Sequence, residues 1–274
     1  MFDTDYPLTQ AQIESYRKNG FVQLDDVVTG EHLKRIRDAI TAAVQKEIRD
    51  DRRSFYEKSS YEQIFIQKIN LWDRHPELKE FSLSRRFANI AARLSGYQVR
   101  IFTDHALYKE PRTGAKTPWH QDSHYWPHQQ KTQQLSLWLA LSDATVQSGC
   151  LSFLPGTQVY DKITPTDLKN PSSWKSFRAP GPKTKAVCCP LKAGSCTFHN
   201  GLTYHYAGPN RTNSMREALA IIYMPDGTTY SGQAHRLDLK RFAVGDVLDC
   251  EFFPVVSDVP NLKRIETAEA VLRG

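Results

Sequence analysis

The amino-acid sequence predicts a single domain that is mostly β, with helices packed on one side of a β-sandwich or jelly roll. Helical patterns occupy residues 1–97. Short runs rich in β-branched and aromatic residues, separated by Gly, Pro, Asn and Asp, occupy residues 98–274. The length of 274 residues suits one domain with a large buried core. No internal repeat, low-complexity tract or linker divides the chain.

Capping signals and periodicity define the first two predicted helices. Thr9 followed by Gln12 fits a capping box and predicts a helix over residues 10–18, with a stop at Asn19-Gly20. Thr29 is expected to cap a longer helix. The apolar stripe of that helix consists of Leu33, Ile36, Ile40, Val44 and Ile48.

Other segments complete the predicted layout. FVQLDDVV (residues 21–28) is strand-like, whereas SYEQIFIQKI (residues 60–69) and SRRFANIAARL (residues 84–94) follow helical patterns, the second ending at Gly96. Within the β region, residues of about 160–185 carry four prolines and little periodicity. They predict a lid-like loop, because long loops of this kind often cover a site.

Composition limits the possible partners. The net charge of +6 comes from basic residues scattered along the chain, without the stripe typical of nucleic-acid binders, so no nucleic-acid partner is predicted. The charge mildly favours an acidic small substrate. There is no long apolar run or signal-like segment, and the five cysteines lack CxxC spacing. We expect a cytoplasmic protein with reduced thiols and no membrane association, acting on a small molecule as a monomer or homodimer.

A cluster of metal-binding residue types lies in the stretch PWHQDSHYWPH. His120, His124 and His128 recur every four residues, as zinc ligands do on a helix, but that helix would run through Pro127. The cluster also lacks the glutamate of the HExxH zinc motif. We therefore favour an extended segment, in which residues two apart share a face and His120 and Asp122 converge on one ion.

The third ligand must come from a distant strand. His120 and Asp122 supply two of the three groups of the facial triad of non-haem Fe(II) oxygenases, although an HxD pair alone is a weak signal. His199 and His205 are the candidates. We favour His205, which precedes the turn-like AGPNRT, and expect His199 to pack or to make a hydrogen bond. Arg216 begins an apolar run eleven residues after His205, where a guanidinium suits the far end of a dicarboxylate co-substrate.

Four stretches of the chain, taken in order, resemble the phytanoyl-CoA dioxygenase family of Fe(II)- and 2-oxoglutarate-dependent oxygenases. They are YRKNGFVQLDDVV, LYKEPRTGAKTPWHQDSHYWP, LSLWLALSDATVQSGCLSFLPGTQ and HYAGPNRTNSMREAL. Their order and separations are more specific than any one of them, and the resemblance extends over most of the chain. The resemblance implies a double-stranded β-helix, that is, a cupin-like jelly-roll core with an N-terminal helical layer.

The resemblance also implies roles for individual residues. The family's iron ligands match His120, Asp122 and His205, and the arginine that holds the distal carboxylate of 2-oxoglutarate matches Arg216. The implied cofactors are Fe(II), 2-oxoglutarate as co-substrate, and O2. Because the carboxylate ligand Asp122 is present, we expect hydroxylation or a related oxidation and not the chemistry of related halogenases.

Further co-substrate contacts are implied at two family positions, Lys109 and Trp138. Some family members bind 2-oxoglutarate with a serine two residues after the distal histidine, and here that position is Ala207. The lost hydroxyl contact is expected to be replaced by Thr157 or Lys109.

The implied reaction hydroxylates an unactivated C–H bond of a small molecule, with release of succinate and CO2. A biosynthetic intermediate, an amino acid or another small acid is the expected substrate. Its contacts are expected at His124, Trp126, Gln133 and Arg112. The alternative is a non-catalytic or non-redox jelly-roll protein that binds a metal or ligand.

Overall fold

The computed structural model describes residues 2–54, 57–58, 62, 65–113, 116–160, 166, 184–235 and 237–265, and ten strands and five α-helices lie within them. The strands are β1 (Phe21–Leu24), β2 (Ile66–Ile69), β3 (Val99–Tyr108), β4 (Thr117–His120), β5 (Leu135–Ala140), β6 (Leu151–Phe153), β7 (Val187–Cys189), β8 (Cys196–Asn200), β9 (His205–Ala207) and β10 (Ala218–Pro225). The helices are α1 (Gln10–Asn19), α2 (Gly30–Asp50), α3 (Leu71–Arg74), α4 (Lys79–Ser82) and α5 (Arg85–Ser95). Short 3-10 helices span Pro76–Leu78, Asp122–His124 and Thr157–Val159.

The strands form two antiparallel sheets. The larger sheet has the order β1-β8-β5-β10-β3-β2, and the smaller has the order β4-β9-β6-β7. One cluster of buried side chains joins the two sheets, with Phe21, Trp138 and Ala220 from the larger and Phe153 and Ala207 from the smaller. Two packed antiparallel sheets confirm the predicted mostly-β jelly-roll architecture.

The side chains of β10 point alternately to the two faces of the larger sheet and show what covers each face. Leu219 and Ile221 belong to the same core as Ile36 of α2 and Phe87 of α5. Ala220, between them, faces the smaller sheet. Successive residues of a strand point to opposite faces of its sheet. The helices therefore cover one face of the larger sheet, and the other face lies toward the smaller sheet and the cavity between the two sheets. The predicted helical layer is therefore confirmed.

The predicted ends of the first helix are confirmed. Oγ1 of Thr9 accepts a hydrogen bond from the amide of Gln12, and Oε1 of Gln12 accepts one from the amide of Thr9. Gly20, with a φ of 80°, ends α1. Thr29 has the extended backbone of an N-cap but makes no capping hydrogen bond through its side chain. Of the stripe on α2, the buried members are Ile36, Ile40 and Val44.

The helical prediction for residues 60–69 is wrong over Ile66–Ile69, which form the edge strand β2. Gln67 pairs with Leu107, and Ile69 pairs with His105 of β3. Gln67 and Ile69 face the cavity between the sheets, whereas Ile66 packs against the helical core. A four-residue strand is too short for its period of two to be distinguished from a helical period by sequence.

Parts of the chain before residue 97 also belong to the β architecture. The strands β1 and β2 form the two edges of the larger sheet. The predicted loop at about 160–185 falls almost entirely outside the described residues, and the division of the chain near residue 97 stays a prediction. In the described parts, no helix is long and apolar enough to cross a membrane.

Candidate metal centre and its cavity

Two strands of the smaller sheet bring three metal-ligating side chains together. His120 ends β4, and His205, its register partner, begins β9. The backbone of Gln121 is extended, with φ −119° and ψ 128°, and Nε2 of its side-chain amide donates to the carbonyl of Leu202. Because Gln121 points away, Asp122 lies on the same side as His120.

The three side chains form a group that can hold one metal ion. One ligand atom each from His120, Asp122 and His205 lies within 4.8 Å of the other two. Nε2 of His120 and Nε2 of His205 are each 3.5 Å from Oδ1 of Asp122. The geometry places two imidazole nitrogens and one carboxylate oxygen around a common point.

Hydrogen bonds on the far side of each ring orient both histidines. Nδ1 of His120 lies 2.8 Å from the carbonyl of Pro118, and Nδ1 of His205 lies 3.0 Å from the carbonyl of Thr203. A carbonyl only accepts, so each Nδ1 carries the proton and each Nε2 keeps its lone pair for a metal. Burial and the neighbouring His120 lower the pKa of His205 well below its ordinary value, which favours the neutral ring that metals bind.

Asp122 is fixed through its other carboxylate oxygen. Oδ2 accepts a hydrogen bond of 2.8 Å from the hydroxyl of Ser136 and one of 3.1 Å from Nε2 of His199. Burial acts to raise the pKa of Asp122, but His205, His120 and His199 outweigh it and hold the pKa well below its ordinary value. The carboxylate is therefore ionised, with Oδ1 directed toward the ligand histidines.

This donor set fits iron. Two imidazoles and one carboxylate on one side of an ion form the facial triad of non-haem Fe(II) oxygenases, which leaves positions open for other ligands. The three residues line a cavity of about 670 Å³. The cavity gives such ligands room to reach the open side.

Arg216 lines the same cavity, just before β10. Its guanidinium carbon lies 5.1 Å from the centre of the Trp138 ring and 5.8 Å from that of Phe65. Nη1 donates to the carbonyl of Leu107 over 3.1 Å. A buried guanidinium held in this way offers a fixed, permanent positive charge to a carboxylate.

Residues 16–218 match the phytanoyl-CoA dioxygenase (PhyH) family. The chain belongs to this family. It is 26% identical to the phytanoyl-CoA dioxygenase domain-containing protein 1 homolog of Dictyostelium discoideum, over 86% of this chain and 99% of that protein.

Solved structures show the same fold. The non-heme alpha ketoglutarate dependent carbocyclase SnoK from nogalamycin biosynthesis is 29% identical, with a TM-score of 0.78 over 91% of this chain and 97% of its own. EvdO2 from Micromonospora carbonacea var. aurantiaca, solved with 2-oxoglutarate, is 26% identical, with a TM-score of 0.62 over 85% of this chain and 97% of its own.

Two further co-substrate candidates, Lys109 and Thr157, are buried but are not among the residues that line the cavity. Nζ of Lys109 donates to the carbonyls of Ala207, the last residue of the ligand strand β9, and Gly208, the next residue. Burial, and then the charge of Arg216, lower the pKa of Lys109 well below its ordinary value. Thr157 is buried, donates to the carbonyl of Leu154 and accepts from the amide of Tyr204.

The four predicted substrate residues are placed differently from one another. His124 and Trp126 line the cavity. Gln133 lines a separate pocket of about 190 Å³ beside α1, and Arg112 is exposed in a turn, where its amide donates to the carbonyl of Thr212.

Sequence reasoning missed several residues that line the cavity. In the sequence, His105 and His235 have no metal-like partners and carry no predicted role, and Gln67 lies in a segment predicted as helix, yet all three line the cavity. The support of Asp122 by Ser136 was also missed. The only sequence signal for Gln67 and His105 was the alternation of side chains along β2 and β3, which puts every second residue on the same face of the sheet.

Proposed function

We propose that this protein is an iron- and 2-oxoglutarate-dependent oxygenase that hydroxylates a C–H bond of a small organic molecule, releasing succinate and CO2. The observation that carries the proposal is one cavity lined by both a His-Asp-His metal group and a buried arginine. A non-catalytic metal-binding jelly roll does not require a buried cation in the cavity that its metal group lines.

His120, Asp122 and His205 would hold the iron, through Nε2, Oδ1 and Nε2 respectively. When bound, iron together with 2-oxoglutarate and O2 supplies the oxidant for C–H cleavage. The contribution of the chain is a fixed facial set of ligands, since both imidazoles and the carboxylate are held by hydrogen bonds before a metal arrives.

Arg216 would bind the distal carboxylate of 2-oxoglutarate. Its guanidinium is held by the Leu107 carbonyl and lies against the rings of Phe65 and Trp138, so little conformational freedom is lost when the carboxylate binds. Charge-assisted pairing in a buried site orients the co-substrate as well as binding it. A co-substrate held in this way would have its keto-acid end left for the metal bound by His120, Asp122 and His205.

Hydroxylation is the proposed outcome because the third ligand is a carboxylate and the cavity leaves room for a substrate beside the co-substrate. Trp126 and His124 line the same cavity as the ligands and would contact the substrate.

An anaerobic titration tests the proposal. Fe(II) and 2-oxoglutarate added together are expected to give a weak visible charge-transfer band, and air is then expected to give succinate. His205→Ala should lose both signals, whereas His32→Gln, which changes a histidine outside the cavity, should keep them. A band of equal strength in His205→Ala would overturn the ligand assignment, and no band in the unmodified protein would overturn the proposed function.

A further inference from the structure

We propose that the substrate is an uncharged molecule built on flat rings and carrying carbonyl or hydroxyl groups, and not a carboxylic acid, an amino acid or a phosphorylated thioester. This inference rests on the proposed function and narrows it. It comes from the cavity, which at about 670 Å³ exceeds the needs of 2-oxoglutarate alone and is of a size that encloses drug-sized molecules.

The described residues that line the cavity offer no spare charge to a substrate. Among the described residues that line it, Arg216 and Asp122 are the ones with a permanent charge at neutral pH, and both already have roles. Lys68, between two cavity-lining residues of β2, points to the other side and donates to the carbonyl of Glu47. A substrate carboxylate or phosphate placed here would lose its water without gaining an oppositely charged partner among these residues, which disfavours its binding.

The side chain of Lys131 is also engaged in hydrogen bonds within the protein. Its ammonium donates to the carbonyls of Ser123 and Trp126 and to Oε1 of Gln233, which itself lines the cavity. Gln233 in turn donates to the carbonyl of His124. This network uses the lysine to hold the wall of the cavity in place, and it presents no cation to a ligand.

The polar groups that line the wall are mainly amides and imidazoles, among them Gln67, His105, His124 and Gln233. Gln67 and His105 lie side by side on β2 and β3, with Nε2 of Gln67 3.3 Å from Nδ1 of His105. Imidazole and amide groups recognise carbonyl and hydroxyl oxygens by hydrogen bonds without requiring a charge.

The remaining wall is largely aromatic and aliphatic. Four aromatic side chains line it, those of Phe65, Tyr125, Trp126 and Trp138, together with aliphatic side chains such as Ile222. Aromatic walls favour flat, ring-bearing ligands through offset stacking and through burial of large apolar areas. An aromatic wall with a few uncharged polar side chains therefore supports the proposed class of substrate, an uncharged molecule built on flat rings.

A matched pair of probes tests the charge. The methyl ester and the free acid of 9-fluorenone-4-carboxylic acid share rings and ketone and differ in one charge. Quenching of tryptophan fluorescence measures their binding to the anaerobic enzyme loaded with Fe(II) and 2-oxoglutarate. We expect the ester to bind at least about tenfold more tightly than the acid, a difference of about 1.4 kcal/mol.

Variants then test the location. Gln67→Lys places a cation in the wall and should shift the preference toward the acid, whereas Gln67→Glu should increase the preference for the ester. Gln23→Lys, on an exposed position of β1 outside the cavity, adds the same net charge and should leave the preference unchanged.

Equal affinity for the two probes, tighter binding of the acid, or no binding of either would overturn the substrate class. The charge-transfer band formed by Fe(II) and 2-oxoglutarate separates this failure from that of the proposed function. If the band is present, only the substrate class fails. If it is absent, the oxygenase assignment fails with it.

Discussion

Nε2 of His199 lies 3.1 Å from Oδ2 of Asp122, the carboxylate oxygen opposite the one that faces His120 and His205. An ionised carboxylate only accepts, so His199 donates. Together with Ser136 it occupies Oδ2 and leaves Oδ1 for a metal. The histidine that the sequence offered as an alternative ligand therefore supports the ligand Asp122.

Removing this donor should weaken metal binding. We expect His199→Ala to lower the affinity for Mn(II), a spectroscopic substitute for Fe(II), by roughly 10–100-fold, as is typical when a hydrogen bond to a metal ligand is lost. Electron paramagnetic resonance of free Mn(II) measures the affinity. His199→Gln keeps an N–H donor and should recover part of it. Unchanged affinity in His199→Ala would mean that the contact does not orient Asp122.

A second prediction concerns the role of Arg216 in binding 2-oxoglutarate. Arg216→Lys keeps the charge but loses the planar fork and its contact with the ring of Trp138. Since a hydrogen bond to a charged group contributes about 1.5–3 kcal/mol, the KM for 2-oxoglutarate should rise roughly 10–100-fold. Succinate release measures it, and circular dichroism checks the fold.

The exposed Arg211, in the preceding turn, provides the control. Arg211→Lys should leave the KM for 2-oxoglutarate as it is in the unmodified enzyme. An equal rise in both variants would contradict a specific role for Arg216.

The metal group was accessible from sequence because its signal is local. The step from His120 to Asp122 depends only on the period of two in extended backbone, and Pro127 argued against the helical alternative. The choice between His199 and His205 rested on the turn that follows His205. In the structure, His205 is the register partner of His120.

The wall of the cavity was not accessible in the same way. Gln67 and His105 meet because β2 pairs with β3, and a short edge strand carries too little pattern to reveal that pairing. His235 reaches the cavity from an irregular segment far along the chain. Such contacts depend on long-range packing, which local propensity does not encode.

A further prediction concerns the stability of a variant at Gly149, close to the ligand strand β9. Its φ is 84°, and a Cβ built on it would meet the carbonyl oxygen of Gly208, which accepts from Lys109. Gly149→Ala therefore combines the cost of left-handed backbone, about 1–2 kcal/mol, with a clash against backbone that cannot move freely.

A substitution at Gly96 separates the cost of left-handed backbone from the cost of the steric clash. Its φ is 82°, and a Cβ there would meet no atom within 4 Å. In urea denaturation, Gly96→Ala should lower the free energy of unfolding by the backbone cost alone, and Gly149→Ala should lower it by at least about 1 kcal/mol more. Equal losses in the two variants would show that the site near Gly208 tolerates a methyl group.

Asp104 predicts a dependence of stability on pH that is separate from the metal centre. This buried carboxylate on β3 accepts hydrogen bonds from the hydroxyl of Ser82 and from the amides of Leu71 and Trp72 at the start of α3. Burial outweighs these bonds and raises the pKa of Asp104 from 3.8 to about 6. The folded state therefore binds a proton more tightly than the unfolded state does.

The stability gained from that proton is fully present below the unfolded pKa and is lost as pH rises through the folded pKa. A shift of about two units corresponds to about 3 kcal/mol between roughly pH 4 and pH 7. Asp104→Asn cannot titrate, and its own cost to the hydrogen bonds of Ser82, Leu71 and Trp72 is the same at every pH. In urea denaturation, the variant's deficit against the unmodified protein should therefore shrink as pH rises across this window. A deficit that is constant from acid to neutral pH would mean that Asp104 stays ionised in the folded protein, with its three donors outweighing burial.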